Sequence, residues 1–342
     1  MVKVYFGTNR KLNRKTKPDD FGRGFSEAGL ASLRFGMVEV TGEKLDTYDL
    51  YLARERLLKD AERKIKGGKG STLGSLEVFK RVRQKMVAHA CDTVIFIHGY
   101  NVSFKEALTS AARLKRNFST VAGRSGVNVV LFSWPSDGSM MPYIAYANDR
   151  QDAAASGPAF ARGLLKLADF LRGSTSEEAC DQSIHLVAHS MGNYVLRHAV
   201  QEIVAHSSGR PVRIFDQVFL MAADEDDDAF EYAHKLKPLP RLAKRVNVYF
   251  NNNDTAMAIS DKTKGNPDRL GDDGPRVPRG IPGKVTLIDC TSVVEGPIGH
   301  SYYLDTPTVV GDMQKVLVGT PSDGFADRHY VQESNRYRLT AG

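Results

Sequence analysis

A serine, a carboxylate and a histidine that together could perform acyl transfer occur at the ends of predicted strands in this chain. Ser190 stands in HLVAHSMGNYV, where a short apolar run is followed by apolar residues at helical spacing. A strand that turns directly into a helix projects the side chain at the turn above the sheet. Such a turn has room only for small residues two positions to either side, here Ala188 and Gly192. We therefore interpret Ser190 as a nucleophile rather than as the N-cap of the following helix.

A serine hydroxyl needs a neighbouring base, and the chain has nine histidines. His300 follows the last predicted strand after a Gly/Pro-rich loop (EGPIGH), which could bring its ring over the site. His329, nearer the C-terminus, is the alternative, and we favour His300. Because His300 must be neutral to accept a proton, activity is predicted to fall in mild acid. Three other histidines lie on the serine's strand or on the helix after it and cannot reach its hydroxyl: His185, His189 and His198.

Two carboxylates are candidates for the group that orients the histidine. Asp254 ends YFNNND after the penultimate predicted strand, and Asp224 ends VFLMAAD after the strand before it. Asp224 also opens an acidic cluster that could be charge at a helix N-terminus. We favour Asp254 and leave Asp224 open as the alternative.

Acyl transfer also needs hydrogen-bond donors for the oxyanion that develops on the substrate. One is the backbone N–H of the residue after the nucleophile, here Met191. The other is expected from the loop after an earlier strand, and IFIHGYN fits because Gly99 allows a sharp turn that directs the Tyr100 N–H into the site. The alternative for this loop is a simple glycine turn with a structural histidine.

The elements that position these residues alternate between β-rich and helical runs. Several β runs are apolar throughout (VIFI, VVLF, VFLMA), as expected of strands buried on both faces of a parallel sheet. This alternation predicts an α/β fold with three layers, a mostly parallel central sheet of about eight strands flanked by helices. The predicted strands are 2–6, 36–40, 93–97, 127–133, 184–188, 217–222, 246–250 and 284–289. The predicted helices are 103–118, 150–172, 191–206, about 228–236, and 309–317.

We interpret residues 1–342 as a single domain with a basic helical insertion or decoration at about 42–90. Residues 54–85 hold eleven Lys/Arg against four Asp/Glu, and the whole chain has a net charge of +7. A basic patch can attract nucleic acid or anionic lipid, but apolar residues at helical spacing favour a solvated helix face. We therefore expect no nucleic-acid partner and no stable membrane association. The short stretch between the strands near Ala223 and Val246 predicts that there is no large cap domain.

The composition is that of a globular chain, with 42% hydrophobic and 25% charged residues. No apolar run is long enough to span a bilayer, and the N-terminus has no signal-peptide apolar core. The three cysteines are widely spaced and odd in number, which fits neither a disulfide framework nor a metal motif. We therefore predict a cytoplasmic protein that uses neither a metal nor an organic cofactor.

The chain resembles the α/β-hydrolases and, more narrowly, a bacterial family of this fold that was catalogued as a domain of unknown function. The resemblance covers most of residues 1–305 and is carried by VYFGTNR, IHGYN, FSWPSDG, HLVAHSMGN, NDTAMAIS and GHSYYL. It implies Ser190 as nucleophile, Asp254 as acid and His300 as base. Ala188 stands where the usual nucleophile turn has glycine.

The predicted function is a serine carboxylesterase that cleaves small-molecule esters with short to medium acyl chains. Side chains after the strand ending at Ser133 could line an acyl pocket, or could instead pack a helix onto the sheet. They are Met140, Met141, Tyr143 and Tyr146. A thioesterase, amidase or lactonase would use the same triad, and a panel of leaving groups separates them. A non-catalytic binding module of the same fold is the alternative outside the enzymes.

Overall fold

The computed structural model describes residues 1–14, 16, 18–30, 32–41, 48–53, 74–121, 126–136, 142–173, 180–255, 268–296 and 299–341. The described part of the chain consists mainly of a large sheet and the helices on its two faces. The strands of the sheet are β1 (Val2–Thr8), β4 (Arg34–Val40), β5 (Asp49–Leu52), β6 (Asp92–Ile97), β7 (Val127–Ser133), β8 (Ile184–His189), β9 (Phe215–Met221), β10 (Ala243–Phe250), β11 (Val285–Asp289), β12 (Arg328–Val331) and β13 (Arg336–Leu339). A separate hairpin consists of β2 (Arg10–Leu12) and β3 (Phe21–Phe25).

The longer described helices connect successive strands, and the four-residue helices form single turns in the loops. They are α1 (Gly74–His89), α2 (Phe104–Asn117), α3 (Pro142–Arg172), α4 (Gly192–His206), α5 (Leu239–Leu242), α6 (Leu270–Asp273), α7 (Tyr302–Asp305) and α8 (Pro307–Leu317). Three 3₁₀ turns accompany them at Pro278–Gly280, Gly299–Ser301 and Gln332–Ser334.

The sheet has eleven strands in the order β12-β13-β11-β10-β9-β8-β6-β7-β1-β4-β5. The strands from β13 to β1 in this order pair in parallel, whereas β12 at one edge and β4 and β5 at the other pair antiparallel. β7 and β8 lie on opposite sides of β6, so the order reverses at β6. Where the loops of neighbouring strands run in opposite directions, a crevice opens at the carboxyl ends of those strands. This crevice is where α/β proteins bind ligands.

Alternation of side chains along the strands produces one apolar core on each face of the sheet. On β6, Ile95 and Ile97 face the core that α1, α3 and α4 cover, whereas Val94 and Phe96 face the core that α2, α7 and α8 cover. All four are nearly inaccessible to solvent. The predicted three-layer α/β fold with a mostly parallel sheet is therefore correct.

The predicted strand number was too low. The additional strands β5, β12 and β13 have four residues each, with the sequences DLYL, RHYV and RYRL. They lie at or next to the sheet edges, where one side of the strand remains polar, so they lack the apolar runs that identify the central strands.

The helix predicted at about 228–236 does not form, and α3 begins at Pro142 rather than at residue 150. In the first segment the Leu236 N–H donates to the Ala229 carbonyl at 2.8 Å, which closes a wide turn instead of a helical one. The Lys235 ammonium binds the carboxylates of both Asp226 and Asp228. These ion pairs stabilise the turn conformation, and Asp side chains favour turns over helix interiors.

Only parts of the 42–90 segment lie within the described residues. β5 extends the sheet next to β4, and α1 buries Val78, Val82 and Met86 in the core. These two parts belong to the layers of the fold, whereas the rest of the predicted basic helical segment, residues 54–73, lies outside the described residues. No helix in the described part of the chain is long and apolar enough to cross a membrane.

A buried ion pair links the β12 edge to α8 and provides a stability test. Arg328 donates from Nε and Nη2 to the Asp312 carboxylate at 2.8 and 2.7 Å, and the Tyr249 hydroxyl donates to the same carboxylate at 2.6 Å. Arg328→Met leaves this carboxylate buried without its counter-charge and is expected to lower the free energy of unfolding by about 3–5 kcal/mol. Urea denaturation followed by circular dichroism measures the change.

Arg113→Met is the matched control, because Arg113 pairs with Asp305 where both side chains are about half exposed. Its expected cost is about 1 kcal/mol or less. Equal small losses in the two variants would contradict the assignment of Arg328 as a structural partner of Asp312.

Candidate active site

Ser190 lies at the turn between β8 and α4 in a backbone conformation that few residues other than glycine adopt. Its φ is +51°, in the left-handed region. The Ser190 N–H donates to the Met221 carbonyl at 3.0 Å. The Asn193 amide donates to the carbonyls of Ala188 and Ser190 at 3.1 and 2.9 Å. The strained turn is therefore held from β9 on one side and from α4 on the other.

Two glycines allow the loops after β6 and β8 to approach each other. A Cβ on Gly99 would lie 2.8 Å from the Ser190 Cβ, and a Cβ on Gly192 would lie 2.7 Å from the carbonyl oxygens of Ile97 and His98. Separations this short do not occur between real Cβ atoms and their neighbours. A larger residue at either position would therefore displace the Ser190 turn or the loop after β6.

His300 and Asp254 lie in contact. His300 Nδ1 lies 2.7 Å from Asp254 Oδ2, and the Asp254 side chain is fully buried, whereas that of His300 is 21% exposed. A carboxylate accepts from Nδ1–H, which leaves Nε2 without its proton and able to accept one. Asp254 is placed by the turn after β10, in which Asn251 Oδ1 accepts from the Asn253 N–H at 3.1 Å.

Two aromatic residues and a second histidine fix the turn that carries His300. His189 Nε2–H donates to the His300 carbonyl at 3.0 Å, and the two imidazole rings lie 4.7 Å apart. The Tyr302 hydroxyl donates to the Tyr249 carbonyl at 2.8 Å and accepts from the Ala222 N–H at 2.9 Å. The Tyr303 ring packs on His189 at 4.7 Å. The His300 turn is thus attached to β8, β9 and β10.

His189, Tyr302 and Tyr303 were not predicted to have a role in the site. The available signal was the aromatic pair two residues after the histidine in GHSYYL. The alternative base, His329, lies on the edge strand β12 opposite Arg338, well away from β8 in the strand order.

The two expected oxyanion donors lie on the loops that meet at Ser190. Met191 directly precedes α4, so its N–H is among those at the start of a helix that have no acceptor within the helix. Tyr100 follows Gly99 on the loop after β6, and its ring lies 5.8 Å from that of Tyr146.

Asp224, the alternative acid, lies in a different set of contacts. Its carboxylate accepts from the Tyr146 hydroxyl at 2.9 and 2.8 Å and lies 3.5 Å from Arg269 Nε. Tyr146 is the one predicted pocket residue whose side chain the structure describes. Met140 and Met141 lie outside the described residues, as does the side chain of Tyr143.

Burial keeps two histidines of the site uncharged. Burial and the nearby Arg10 guanidinium lower the pKa of His98 to about 3, and burial and the neighbouring His300 lower the pKa of His189 well below its usual range. His98 Nδ1–H donates to the Gly99 carbonyl at 2.9 Å, while Nε2 accepts from the Trp134 N–H at 3.2 Å.

Within the described part of the chain no group of three or more metal-ligating side chains is found.

The comparison with protein families agrees with this architecture. A family described as "Alpha/beta hydrolase of unknown function (DUF900)" matches residues 77–320, which contain Ser190, Asp254 and His300. The chain belongs to this family. As a DUF900 hydrolase it is 24% identical over 305 residues to an uncharacterized protein of Nostoc sp. (strain PCC 7120), covering 70% of this chain and 76% of that protein.

Among solved structures, the DUF900 hydrolase is similar to a Lactobacillus plantarum WCFS1 protein described only as a cell surface hydrolase. The two are 14% identical with a TM-score of 0.36, and the match covers 68% of this chain and 93% of that one.

A half-buried histidine on α4, His198, predicts how stability depends on pH. Burial, with Arg197 and Arg150 nearby, lowers the pKa of His198 to about 4 from an ordinary value of 6.5. Since the folded-state pKa is depressed, the contribution of neutral His198 to stability is complete above pH 6.5 and is lost as the pH falls through 4. The free energy of unfolding of His198→Gln should therefore change less between pH 7 and pH 4 than that of the wild type, as measured by urea denaturation.

His206→Gln is the control, because His206 is an exposed histidine at the end of the same helix. The effect of His198→Gln on the pH dependence should exceed the effect of His206→Gln. An unchanged pH dependence in His198→Gln would contradict the prediction.

Proposed function

We propose that this hydrolase is a serine carboxylesterase with Ser190 as nucleophile, His300 as base and Asp254 as the acid that orients it. The observation that carries the proposal is the 2.7 Å contact between His300 Nδ1 and Asp254 Oδ2. The His300 carbonyl in turn accepts a hydrogen bond from His189. His189 directly precedes Ser190, whose backbone has a positive φ. Acyl transfer requires a serine on such a turn and an imidazole oriented by a carboxylate, and the proposal assigns these parts to Ser190 and His300.

In the proposed reaction Ser190 Oγ attacks the ester carbonyl carbon while His300 Nε2 takes the hydroxyl proton. The carbonyl oxygen becomes an oxyanion, which accepts hydrogen bonds from the N–H groups of Met191 and Tyr100. The carbon–oxygen bond to the alcohol then breaks, and His300 returns the proton to the leaving oxygen. Water attacks the acyl-enzyme with His300 again as base, which releases the carboxylic acid and regenerates Ser190.

The short connection between β9 and β10 supports small, soluble esters as substrates. Residues 222–242 contain turns and the four-residue helix α5, and no cap is inserted at this position. The Tyr146 and Tyr100 rings are the described part of the proposed acyl pocket, to which we also assign Met140, Met141 and Tyr143. We keep the cytoplasm as the proposed compartment, because Cys91, Cys180 and Cys290 are all free thiols.

Labelling with a fluorescent fluorophosphonate tests the nucleophile without knowledge of the natural ester. The reagent phosphonylates only an activated serine, whose oxygen displaces fluoride from phosphorus, so the wild type should label while Ser190→Ala and His300→Ala should not. Hydrolysis of p-nitrophenyl butyrate by the two variants should fall by roughly 10³-fold or more. Circular dichroism verifies that each variant is folded. A folded wild type that does not label would exclude the esterase and favour the binding module.

The two candidate acids are distinguished by a matched pair of substitutions. Asp254→Asn should lower kcat by roughly 10²–10⁴-fold, because an amide no longer fixes the His300 tautomer or stabilises its charge. Asp224→Asn, which keeps an acceptor for the Tyr146 hydroxyl, should change kcat by less than roughly tenfold. The reverse order of effects would assign the triad acid to Asp224.

A further inference from the structure

Arg10 is a fully buried cation next to the loop that carries Tyr100. It begins β2, directly after the first strand of the sheet, and only 1% of its surface is exposed. Its guanidinium reaches three neighbouring segments. Nη2 donates to the Val102 carbonyl at 2.6 Å, Nε donates to Ser133 Oγ at 2.8 Å, and Nη1 lies 3.4 Å from the Gly22 carbonyl.

The same guanidinium also supports the histidine at the start of the loop. Nη2 lies 3.3 Å from His98 Nε2, which accepts from the Trp134 N–H as well. With Nε2 occupied by donors, the His98 proton resides on Nδ1 and is donated to the Gly99 carbonyl. Arg10 therefore contacts the loop at both ends, at His98 before Gly99 and at Val102 after Tyr100.

Asp149 and Ser136 hold the opposite side of the same loop. The buried Asp149 carboxylate accepts from the Asn101 N–H at 3.2 Å, and the Ser136 hydroxyl donates to it. Ser136 Oγ in turn accepts from the Val102 N–H at 3.2 Å. Asn101 has a φ of +54°, so the loop is held in a conformation that a free chain rarely adopts. The N–H of Tyr100 lies between the clamped positions.

Packing of the core alone does not require a buried guanidinium and a buried carboxylate against one loop. Burying a guanidinium or a carboxylate is costly unless its hydrogen bonds are satisfied. Among the described residues, each hydrogen-bond acceptor of Arg10 is uncharged, so its charge is not neutralised by a direct ion pair.

We propose that Arg10 and Asp149 are positioning residues that hold the Tyr100 N–H in the oxyanion hole from opposite sides of the loop. This inference rests on the proposed esterase. Neither residue touches the substrate; both act through the backbone of residues 98–102. Their loss should affect the transition state, in which the oxyanion exists, more than the binding of the ester.

Arg10→Met tests the clamp, with Arg328→Met as the matched control. Both variants remove a buried guanidinium, but Arg328 lies at the β12 edge of the sheet. With p-nitrophenyl butyrate, Arg10→Met should lower kcat by roughly 10- to 100-fold with KM within about threefold. Arg328→Met should lower stability and leave kcat per active enzyme unchanged. Fluorophosphonate titration counts the active enzyme in each sample.

Hydrogen exchange of a peptide spanning residues 98–103 gives a second readout that does not depend on activity. Exchange should be faster in Arg10→Met than in the wild type and unchanged in Arg328→Met. If Arg10→Met does not fold, Ser136→Ala replaces it, because this variant removes only the hydroxyl between Asp149 and the Val102 N–H. Its kcat should fall several-fold.

A folded Arg10→Met or Ser136→Ala with the kcat and loop exchange of the wild type would overturn the inference and leave the esterase intact. An equal loss of kcat in Arg10→Met and Arg328→Met would also overturn it, since any buried charge would then have the same effect. A wild type that neither labels nor hydrolyses the ester contradicts the proposed function itself, and loop exchange alone then decides whether the clamp exists.

Discussion

The loops after β6 and β8 meet backbone to backbone, and the geometry of the site depends on how closely they approach. Gly99 lies against the Ser190 Cβ, and Gly192 lies against the carbonyls of Ile97 and His98. Each glycine thus makes room for the other loop. Because the loops interlock, Met191 and Tyr100 both lie on loop segments that meet at Ser190. One steric constraint therefore places the proposed nucleophile and the two residues proposed to donate to the oxyanion.

The central strands and the Ser190 turn could be predicted from the sequence because their signals are local. A strand buried on both faces is apolar throughout, and a tight strand-to-helix turn excludes large residues nearby. The edge strands could not be predicted, since four-residue segments such as RYRL have no such pattern. The segment at 228–236 was mistaken for a helix because its conformation depends on ion pairs that the local pattern does not reveal. Lys235 binds Asp228 and also Asp226, just before the segment, and the distant Arg269 binds Asp226 as well.

The contacts that support the site were not predictable for a different reason. Arg10 and Val102 are 92 positions apart, and Asn101 and Asp149 are 48 apart. Tyr302 reaches the Tyr249 carbonyl across 53 positions. Such pairs form only when the sheet brings distant loops to one edge, so neither residue carries a signal in its own neighbourhood. A single sequence identifies residues that follow strands, but it does not identify which buried polar groups hold those loops.

Burial also separates the structural histidines from the proposed base. His98 and His189 are enclosed, and burial lowers the pKa of each, so both remain neutral hydrogen-bonding groups. His300 is partly exposed and is the one of the three whose ring contacts a carboxylate, that of Asp254. In the proposed reaction His300 takes the Ser190 proton, and the resulting charge, with the two rings 4.7 Å apart, further disfavours protonation of His189. His189 would therefore keep donating to the His300 carbonyl while His300 changes charge, so the proposed base would return its proton from the position in which it received it.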